Sequence, residues 1–106
     1  MTKSAPCEAV AGAITRAAGQ ALQQRGTIVI PALLAGAGAT AAAYLEWSRN
    51  LGHENFLLDG VEEHIRQRIQ AAYHKARRAA QRYNVNLRRG ALLAAVEKVA
   101  AALRLR

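Results

Sequence analysis

Residues 27–50 read TIVIPALLAGAGATAAAYLEWSRN, and this stretch carries most of the information about the fold. A β-branched run that ends at Pro31 predicts a short buried strand over residues 27–31. After a Leu-Leu connection, a run of small residues predicts a helix over residues 36–50. Because no residue before Glu46 in this stretch carries a charge, any ligand that approaches it must be bound by the backbone and by packing.

Helical spacing of apolar residues predicts three further helices around this stretch. The first covers residues 15–24 and ends before Gly26. The second begins at an Asp59 N-cap, with Glu62 in the capping-box position. It carries an apolar stripe made of Val61, Ile65, Ile69, Ala72, Ala76, Ala79 and Tyr83. The third begins near Asn86, and its apolar face consists of Leu92, Val96, Val99 and Leu103.

These elements give a fold class that is mainly α with one short strand. The apolar pattern starts after the first few residues, so we expect a disordered N-terminus at residues 1–7 and a single domain over residues 8–106. The apolar faces of the last helices need a surface to cover them, and they can find it in each other or in a second copy of the chain. We therefore expect a homo-oligomer or a loosely packed monomer.

The composition indicates which ligands and which compartment suit the chain. The chain of 106 residues has 15 Lys and Arg against 7 Asp and Glu, a formal charge of +8 that attracts nucleic acid, phosphate cofactors or acidic lipid. Cys7 is the only cysteine, which excludes an internal disulfide and a cysteine metal cluster and favours a reducing compartment. We see no apolar region typical of a signal peptide behind the N-terminus, so we expect a cytoplasmic protein.

Glycines supply one candidate cofactor site. The pattern Gly36-x-Gly38-x-x-Ala41 matches a dinucleotide fingerprint, in which glycines let the backbone approach a pyrophosphate. A true fingerprint follows its strand directly, whereas five residues separate Ile30 from Gly36. Close helix packing over small residues therefore explains the pattern better, and Gly36 and Gly38 are the only cofactor-binding candidates. No metal-binding residues are predicted, because His53, His64 and His74 lack the spacing that would place two of them on one helical face. No catalytic or substrate-binding residues are predicted either.

Basic residues supply a candidate anion site. No acid occurs between His64 and Val96, while arginines accumulate there. A helix with this charge opposite an apolar stripe can lie along phosphates or an anionic membrane, although solvated basic faces are common. The candidate anion-binding residues are Arg77, Arg78, Arg82, Arg88 and Arg89. A second membrane candidate is the uncharged stretch 27–45, which is weakly hydrophobic and interrupted by Pro31 and two glycines.

Several short motifs, in a fixed order, carry a resemblance to one enzyme family. They are RGTIVIP at 25–31, AGAG at 35–38, YLEW at 44–47, YNVNLR at 83–88 and AVEKVA at 95–100. They resemble a last nucleotide-domain strand, an Ala-Asn-Ala-Gly-Gly turn, a Ser-Tyr-Phe-Glu-Trp helix, a Tyr-Asn-Val-Asp-Leu-Arg segment and an Ala-Val-Glu-Arg-Val-Ala closing helix. Upstream, Glu8, Gly12 and Thr15 fall where the same family has Glu-Gly-Ala-Asn-Gly-Pro-Thr-Thr. The sequence thus resembles the C-terminal part of the glutamate dehydrogenases, the Glu/Leu/Phe/Val amino-acid dehydrogenase family.

The resemblance implies the end of an α/β NAD(P)-binding domain with the helices that return from it, and a parent activity that deaminates glutamate to 2-oxoglutarate with NAD or NADP. It also implies that the catalytic Lys and Asp lie in a preceding part of the family's sequence. Where the family has two cofactor-contacting Asn residues and a substrate-binding Ser, this sequence has Ala11, Gly36 and Ala43. Of the family's contact positions, Gly38 alone is expected to keep a backbone contact to the cofactor.

We therefore expect a truncated or degenerate relative that is inactive alone and binds no cofactor alone. Its expected partner is a second copy or a chain that carries the missing dehydrogenase domains. The alternatives are a small basic helical nucleic-acid-binding module and a membrane-attached helical protein.

Overall fold

The computed structural model of the chain describes residues 5–52 and 58–105, apart from the side chains of residues 58 and 59. These residues form α1 (Arg16–Gln24), α2 (Ala32–Ala35), α3 (Ala37–Asn50), α4 (Leu58–Tyr83) and α5 (Leu87–Arg104). The prediction of a mainly α fold is confirmed. The predicted Leu-Leu connection is the one-turn helix α2, which follows Pro31 and leads almost directly into α3.

Local capping explains where two helices begin. The Thr15 hydroxyl accepts a hydrogen bond from the Ala18 N–H (3.2 Å) at the start of α1. The Asn86 side chain accepts one from the Arg89 N–H (2.9 Å) at the start of α5. Each cap satisfies a backbone donor that has no partner within the helix. These starts match the predicted ones to within a residue.

The start of α4 differs from the prediction. The helix begins at Leu58, so Asp59 lies within the first turn and is not the residue that precedes it. The Asp59 side chain, and with it the predicted capping box, lies outside the described part of the chain, as does His53. At the other end of α4, Asn84 adopts a left-handed conformation (φ 51°), which ends the helix directly after Tyr83, the last residue of the predicted apolar stripe.

The predicted strand over residues 27–31 is wrong as a regular element. Within the described residues it is reduced to an isolated parallel bridge between Cys7 and Ile30. The Ile30 N–H donates to the Pro6 carbonyl, and the Glu8 N–H donates to the Ile30 carbonyl, both at 2.9 Å. A β-branched run needs neighbouring strands to become a ladder, and only this short segment pairs with it. The bridge includes Cys7. The disorder expected over residues 1–7 stays a prediction, as does the single domain over residues 8–106, and residues 1–4 lie outside the described part of the chain.

Small residues build the contact between α4 and α5. Ala76, Leu87 and Ala91 form the buried cluster, against which Leu34 and Tyr73 pack. Gly90 lies directly over α4, since a methyl group at this position would stand 2.7 Å from the Ala80 Cβ and 2.8 Å from the Ala80 N. The helices therefore approach closely at Gly90, which no larger residue would permit.

The chain leaves a large surface uncovered. Its radius of gyration is 16.1 Å, whereas a closed domain of this length measures about 13 Å. Its accessible surface is 8649 Å², against about 5,800 Å² for a closed monomer of this size. Exposed large apolar side chains include Val10, Ile28, Leu33, Tyr44, Trp47 and all four residues of the predicted α5 face, Leu92, Val96, Val99 and Leu103.

The described helices do not include one whose length and apolar character would allow it to cross a membrane. The uncharged stretch 27–45 is divided among extended backbone, α2 and the first part of α3.

Candidate functional site

A buried carboxylate joins three distant parts of the chain. Glu8 is 1% exposed, and its side chain accepts hydrogen bonds from the Ile14 N–H (3.3 Å), the Ala32 N–H (3.2 Å) and the Arg88 guanidinium. We refer to Glu8, Ile14, Ala32 and Arg88 as the Glu8 clamp. It connects the turn before α1, the first residue of α2 and the first turn of α5.

Local structure explains why Glu8 is needed at this position. Pro31, the N-cap of α2, offers no side-chain acceptor, so the first N–H groups of this short helix lack a partner within it. The Glu8 carboxylate supplies one for Ala32. Gly12, with φ 80°, turns the chain back so that Ile14 reaches the same carboxylate.

The charge of Glu8 is set by its partners. The hydrogen bond from Arg88 is the main cause that lowers the pKa of Glu8 below 4.5, the N–H groups of Ala32 and Ile14 lower it further, and burial acts in the opposite direction. The carboxylate is therefore ionised near neutral pH. Such a group is a poor proton acceptor, and the chain's own donors already occupy it, so the clamp is suited to holding the fold and not to acid-base catalysis.

An open cleft of about 610 Å³ adjoins the clamp. Its walls come from α1, the segment 26–31, the C-terminal half of α4 and the start of α5. The polar side chains that line it are Gln23, Thr27, Tyr73, Arg77, Gln81, Asn84, Asn86 and Arg88. Among the described residues the lining includes no His, Cys, Asp or Glu, so this part of the cleft can donate hydrogen bonds to a polar ligand but contributes no group that exchanges protons near neutral pH.

The two glycines predicted to bind a cofactor lie away from this cleft. Gly36 joins α2 to α3, and its N–H donates to the Ala32 carbonyl (2.9 Å). Gly38 lies in the first turn of α3 against α4, where an added methyl group would stand 3.1 Å from the Ile69 Cδ1. This contact agrees with the interpretation that small residues here allow close helix packing. Cofactor binding by Gly36 and Gly38 stays a prediction.

The predicted anion-binding arginines separate into groups. Arg77 and Arg88 both line the cleft, although Arg88 is also the ion-pair partner of Glu8. The Arg82 guanidinium lies 5.5 Å from the centre of the Tyr83 ring. The exposed Arg78 and Arg89 line neither the cleft nor the clamp. Anion binding by these residues also stays a prediction.

Sequence reasoning missed the clamp. It treated Arg88 as part of a basic face and Glu8 as one position of a family motif, and the 80 residues that separate the two give no spacing signal. The described residues also include no group of three or more His, Cys, Asp or Glu that could hold a metal ion.

Comparison with known proteins gives consistent matches over nearly the whole chain. The sequence model of the glutamate/leucine/phenylalanine/valine dehydrogenases matches residues 4–106. The chain is similar to a glutamate dehydrogenase of Thermotoga maritima, with 31% identity over 99 residues that make up 93% of this chain and 24% of the relative. It is equally similar to an NAD-specific glutamate dehydrogenase of Clostridioides difficile, with 31% identity over 94% of this chain and 24% of the relative. The corresponding Staphylococcus aureus (strain COL) protein is 29% identical over 93% of this chain. The chain thus spans 24% of the length of these curated relatives.

Proposed function

This chain belongs to the glutamate/leucine/phenylalanine/valine dehydrogenase family, and from that premise we propose that it is a truncated or degenerate relative of glutamate dehydrogenase that does not oxidise glutamate on its own. The observation that carries the proposal is the loss of polar atoms at the positions where the resemblance assigns ligand contacts. Ala11, Gly36 and Ala43 stand there, and none has a side-chain donor or acceptor. A site built on hydrogen bonds loses orders of magnitude in rate when those groups become methyls.

The chemistry of the described residues supports the same proposal. Oxidative deamination needs a group that accepts and returns protons beside the reacting carbon. The one buried acid among the described residues, Glu8, has a lowered pKa and is held by Arg88 and two backbone N–H groups. The described residues that line the adjoining cleft include no side chain that exchanges protons near neutral pH.

The segment 27–31 supports a proposal about the partner. In nucleotide-binding α/β domains such a strand lies inside a parallel sheet and is covered on both faces. Here Ile28 is 60% exposed, and within the described residues the segment makes one isolated parallel bridge. We therefore propose that the side of this segment that Ile28 faces fits further dehydrogenase structure, supplied by a polypeptide that carries the remaining domains.

The first prediction is that the purified chain neither reduces NAD or NADP with glutamate nor binds the reduced or oxidised cofactors. Trp47 is a suitable probe because it lies on α3, the helix that Gly36 and Gly38 begin, and is 58% exposed. Titration of each cofactor should leave its fluorescence unchanged after correction for absorption, while a full-length glutamate dehydrogenase serves as the positive control. Saturable quenching, or turnover above the blank, would contradict the proposal.

A reconstitution assay distinguishes a truncated chain that is part of a split enzyme from a degenerate relative. The chain is mixed or co-expressed with a polypeptide that comprises the preceding three quarters of a glutamate dehydrogenase. Recovery of activity would identify the chain as part of a split enzyme, whereas complex formation without activity agrees with a degenerate relative. The back-substituted variant Ala11→Asn, Gly36→Asn, Ala43→Ser is the matched control, because it should recover activity only if those lost groups are the limiting defect.

A further inference from the structure

The cleft beside the Glu8 clamp carries charge of one sign. Arg77 and Arg88 line it, and the described part of its lining includes no acid. The Glu8 carboxylate does not cancel this charge inside the cleft, since the Glu8 side chain is fully buried while that of Arg88 is 47% exposed. A ligand in the cleft therefore meets the guanidinium of the ion pair and not its carboxylate. Such a cavity attracts anions.

The two arginines are held near each other by the packing of their neighbours. Arg77 follows Ala76 on α4, and Arg88 follows Leu87 at the start of α5. Ala76 and Leu87 belong to the same buried cluster. The contact between α4 and α5 therefore brings both guanidinium groups to the part of the cleft where the two helices meet.

The start of α5 adds to the positive potential of this part of the cleft. The helix is 18 residues long, and the N-terminus of such a helix carries a partial positive charge. Its cap and its first two residues, Asn86, Leu87 and Arg88, all line the cleft. Two guanidinium groups beside a helix N-terminus suit a phosphate monoester, which has several acceptor oxygens and a charge of about −1.5 to −2 at neutral pH.

The remaining polar lining indicates what the phosphate is attached to. Gln23, Gln81 and Asn84 contribute carboxamides, and Thr27 contributes a hydroxyl. A carboxamide both donates and accepts hydrogen bonds, as the hydroxyl groups of a sugar do. The Gln23 carbonyl oxygen accepts from the Asn86 amide (3.2 Å), which leaves the Gln23 NH₂ group to donate to a ligand. These groups suit a ligand body rich in hydroxyls.

The lining suits a sugar better than a planar base. Tyr73 is the one aromatic residue in the described lining, and it packs against the buried cluster of α4 and α5. Its ring is thus engaged in the core and is not a platform on which a base would stack. The volume of the cleft, about 610 Å³, lies within the range of about 300–1,000 Å³ that is usual for small-molecule sites.

We propose that this cleft binds a small sugar phosphate. Arg77, Arg88 and the start of α5 surround the phosphate, and the carboxamides surround the sugar hydroxyls. The sequence indicated only a basic surface shared by five arginines, whereas the cleft selects two of them and adds uncharged residues that recognise the rest of the ligand. None of the lining residues stands where the resemblance assigns ligand contacts, so the proposal does not rest on the proposed function.

Isothermal titration calorimetry of the full chain tests the proposal with ribose 5-phosphate. The wild type should bind one molecule per chain. Ribose lacks the phosphate and inorganic phosphate lacks the sugar, so each should bind about tenfold more weakly or less. Absence of binding at millimolar ribose 5-phosphate would overturn the proposal. So would equal affinity for inorganic phosphate, which would indicate a simple ion site, or equal affinity for ribose.

Two neighbouring arginines provide matched variants for the phosphate. Arg77→Ala removes a guanidinium from the lining, whereas Arg78→Ala removes the same charge one residue further along α4, outside the lining. The first should weaken binding of ribose 5-phosphate by about tenfold to a hundredfold, and the second by less than about twofold. Equal losses would show a general attraction to the basic surface and would overturn the proposal. Far-UV circular dichroism checks that both variants keep their helical content.

Asn84→Gly tests the sugar end of the cleft. Glycine adopts the left-handed conformation of Asn84 (φ 51°) without strain, so this variant removes the carboxamide and keeps the turn. Affinity for ribose 5-phosphate should fall severalfold, while that for inorganic phosphate should not change. Equal changes for the two ligands, or none for either, would overturn the assignment of the sugar to this end.

A last titration addresses the dehydrogenase partner. Ile28, whose exposed side was assigned to that partner, also lines the cleft. The titration with ribose 5-phosphate is therefore repeated after the dehydrogenase polypeptide is added, and the affinity should be retained. Loss of binding would overturn the proposal, because the polypeptide would then occupy the cleft itself.

Discussion

Glu8 combines two properties that rarely occur together, near-complete burial and a full charge. Its three partners account for this, since two backbone N–H groups and a guanidinium replace the water that burial removes. A buried ion pair of this kind contributes less to stability than its attraction suggests, but the loss of one partner is costly because the other stays buried and unpaired.

The variant Glu8→Gln tests the charge of this residue through the pH dependence of thermal stability. Because folding lowers the pKa of Glu8, its stabilising contribution is complete above its ordinary value of 4.5 and is lost as the pH falls through the lower folded value. Glu8→Gln should therefore unfold at a lower temperature than the wild type at pH 7, and the difference should shrink as the pH falls below about 4.5. Thermal unfolding followed by circular dichroism measures both curves.

The control for that experiment is Glu46→Gln, which removes the same charge from an exposed position on α3. Its unfolding temperature should follow the wild type at every pH. A difference between Glu8→Gln and the wild type that stays constant down to the lowest pH would show that the clamp acts through packing and not through charge.

Residue-level predictions from sequence succeeded where the cause is local. The starts of α1 and α5 were predicted to within a residue, and the side chains that cap them, Thr15 and Asn86, bind N–H groups only three residues away. The Glu8 clamp depends on partners 24 and 80 residues away. Nothing in the spacing of one sequence specifies such contacts.

At the scale of elements, the close crossing of α4 and α5 depends on the absence of a side chain at Gly90. Gly90→Ala would place a Cβ 2.8 Å from the backbone N of Ala80, an atom that cannot move without shifting α4. We expect this variant to lower the free energy of unfolding by about 1–3 kcal/mol, despite the gain in helix propensity of about 0.5–1 kcal/mol. Urea denaturation measures the difference.

Gly19→Ala on α1 is the matched control for the crossing. The nearest atom to its added methyl group is the Ile14 Cγ2 at 3.9 Å, an ordinary contact. This variant should therefore gain about 0.5–1 kcal/mol through helix propensity alone. If Gly90→Ala stabilised the chain as Gly19→Ala does, the close approach of α4 and α5 would be refuted.

Helices were predicted with little error because their hydrogen bonds close within the segment itself. The strand over residues 27–31 was predicted wrongly. A ladder requires neighbouring strands, and among the described residues only Pro6 and Glu8 form these backbone hydrogen bonds with the segment. The sequence also identified a real apolar face on α5 without revealing what it packs on. The face of α5 that contacts α4 consists of the small residues around Gly90. Hydrophobicity alone does not distinguish this face.

At the scale of the molecule, the surplus of positive charge raises the question of nucleic acid. We expect only weak, non-selective binding to duplex DNA at low salt, since Arg88 is paired with Glu8 and the predicted arginines separate into groups. If phosphates are contacted, Arg78→Glu, Arg82→Glu should reduce the salt slope of log affinity by about two, at about 0.9 for each contact. The control is Arg16→Glu, Arg25→Glu, which changes the first residue of α1 and the residue that follows its last. Sub-micromolar, sequence-selective binding at physiological salt would replace the dehydrogenase-relative function with a nucleic-acid-binding one.

The span of the Glu8 clamp has a consequence for the order of events during translation. Arg88 is synthesised 80 residues after Glu8, and further residues must be added before it clears the ribosomal tunnel. Until then Arg88 does not hold the Glu8 carboxylate in place to cap α2. The bridge between Cys7 and Ile30 also lacks the complete Glu8 clamp beside it. The nascent chain can form α1, α3 and α4 as separate helices, but the contact between Glu8 and Arg88 is completed only after Arg88 has left the tunnel. A chain that ends before Arg88 would keep the Glu8 carboxylate without the guanidinium that pairs with it among the described residues.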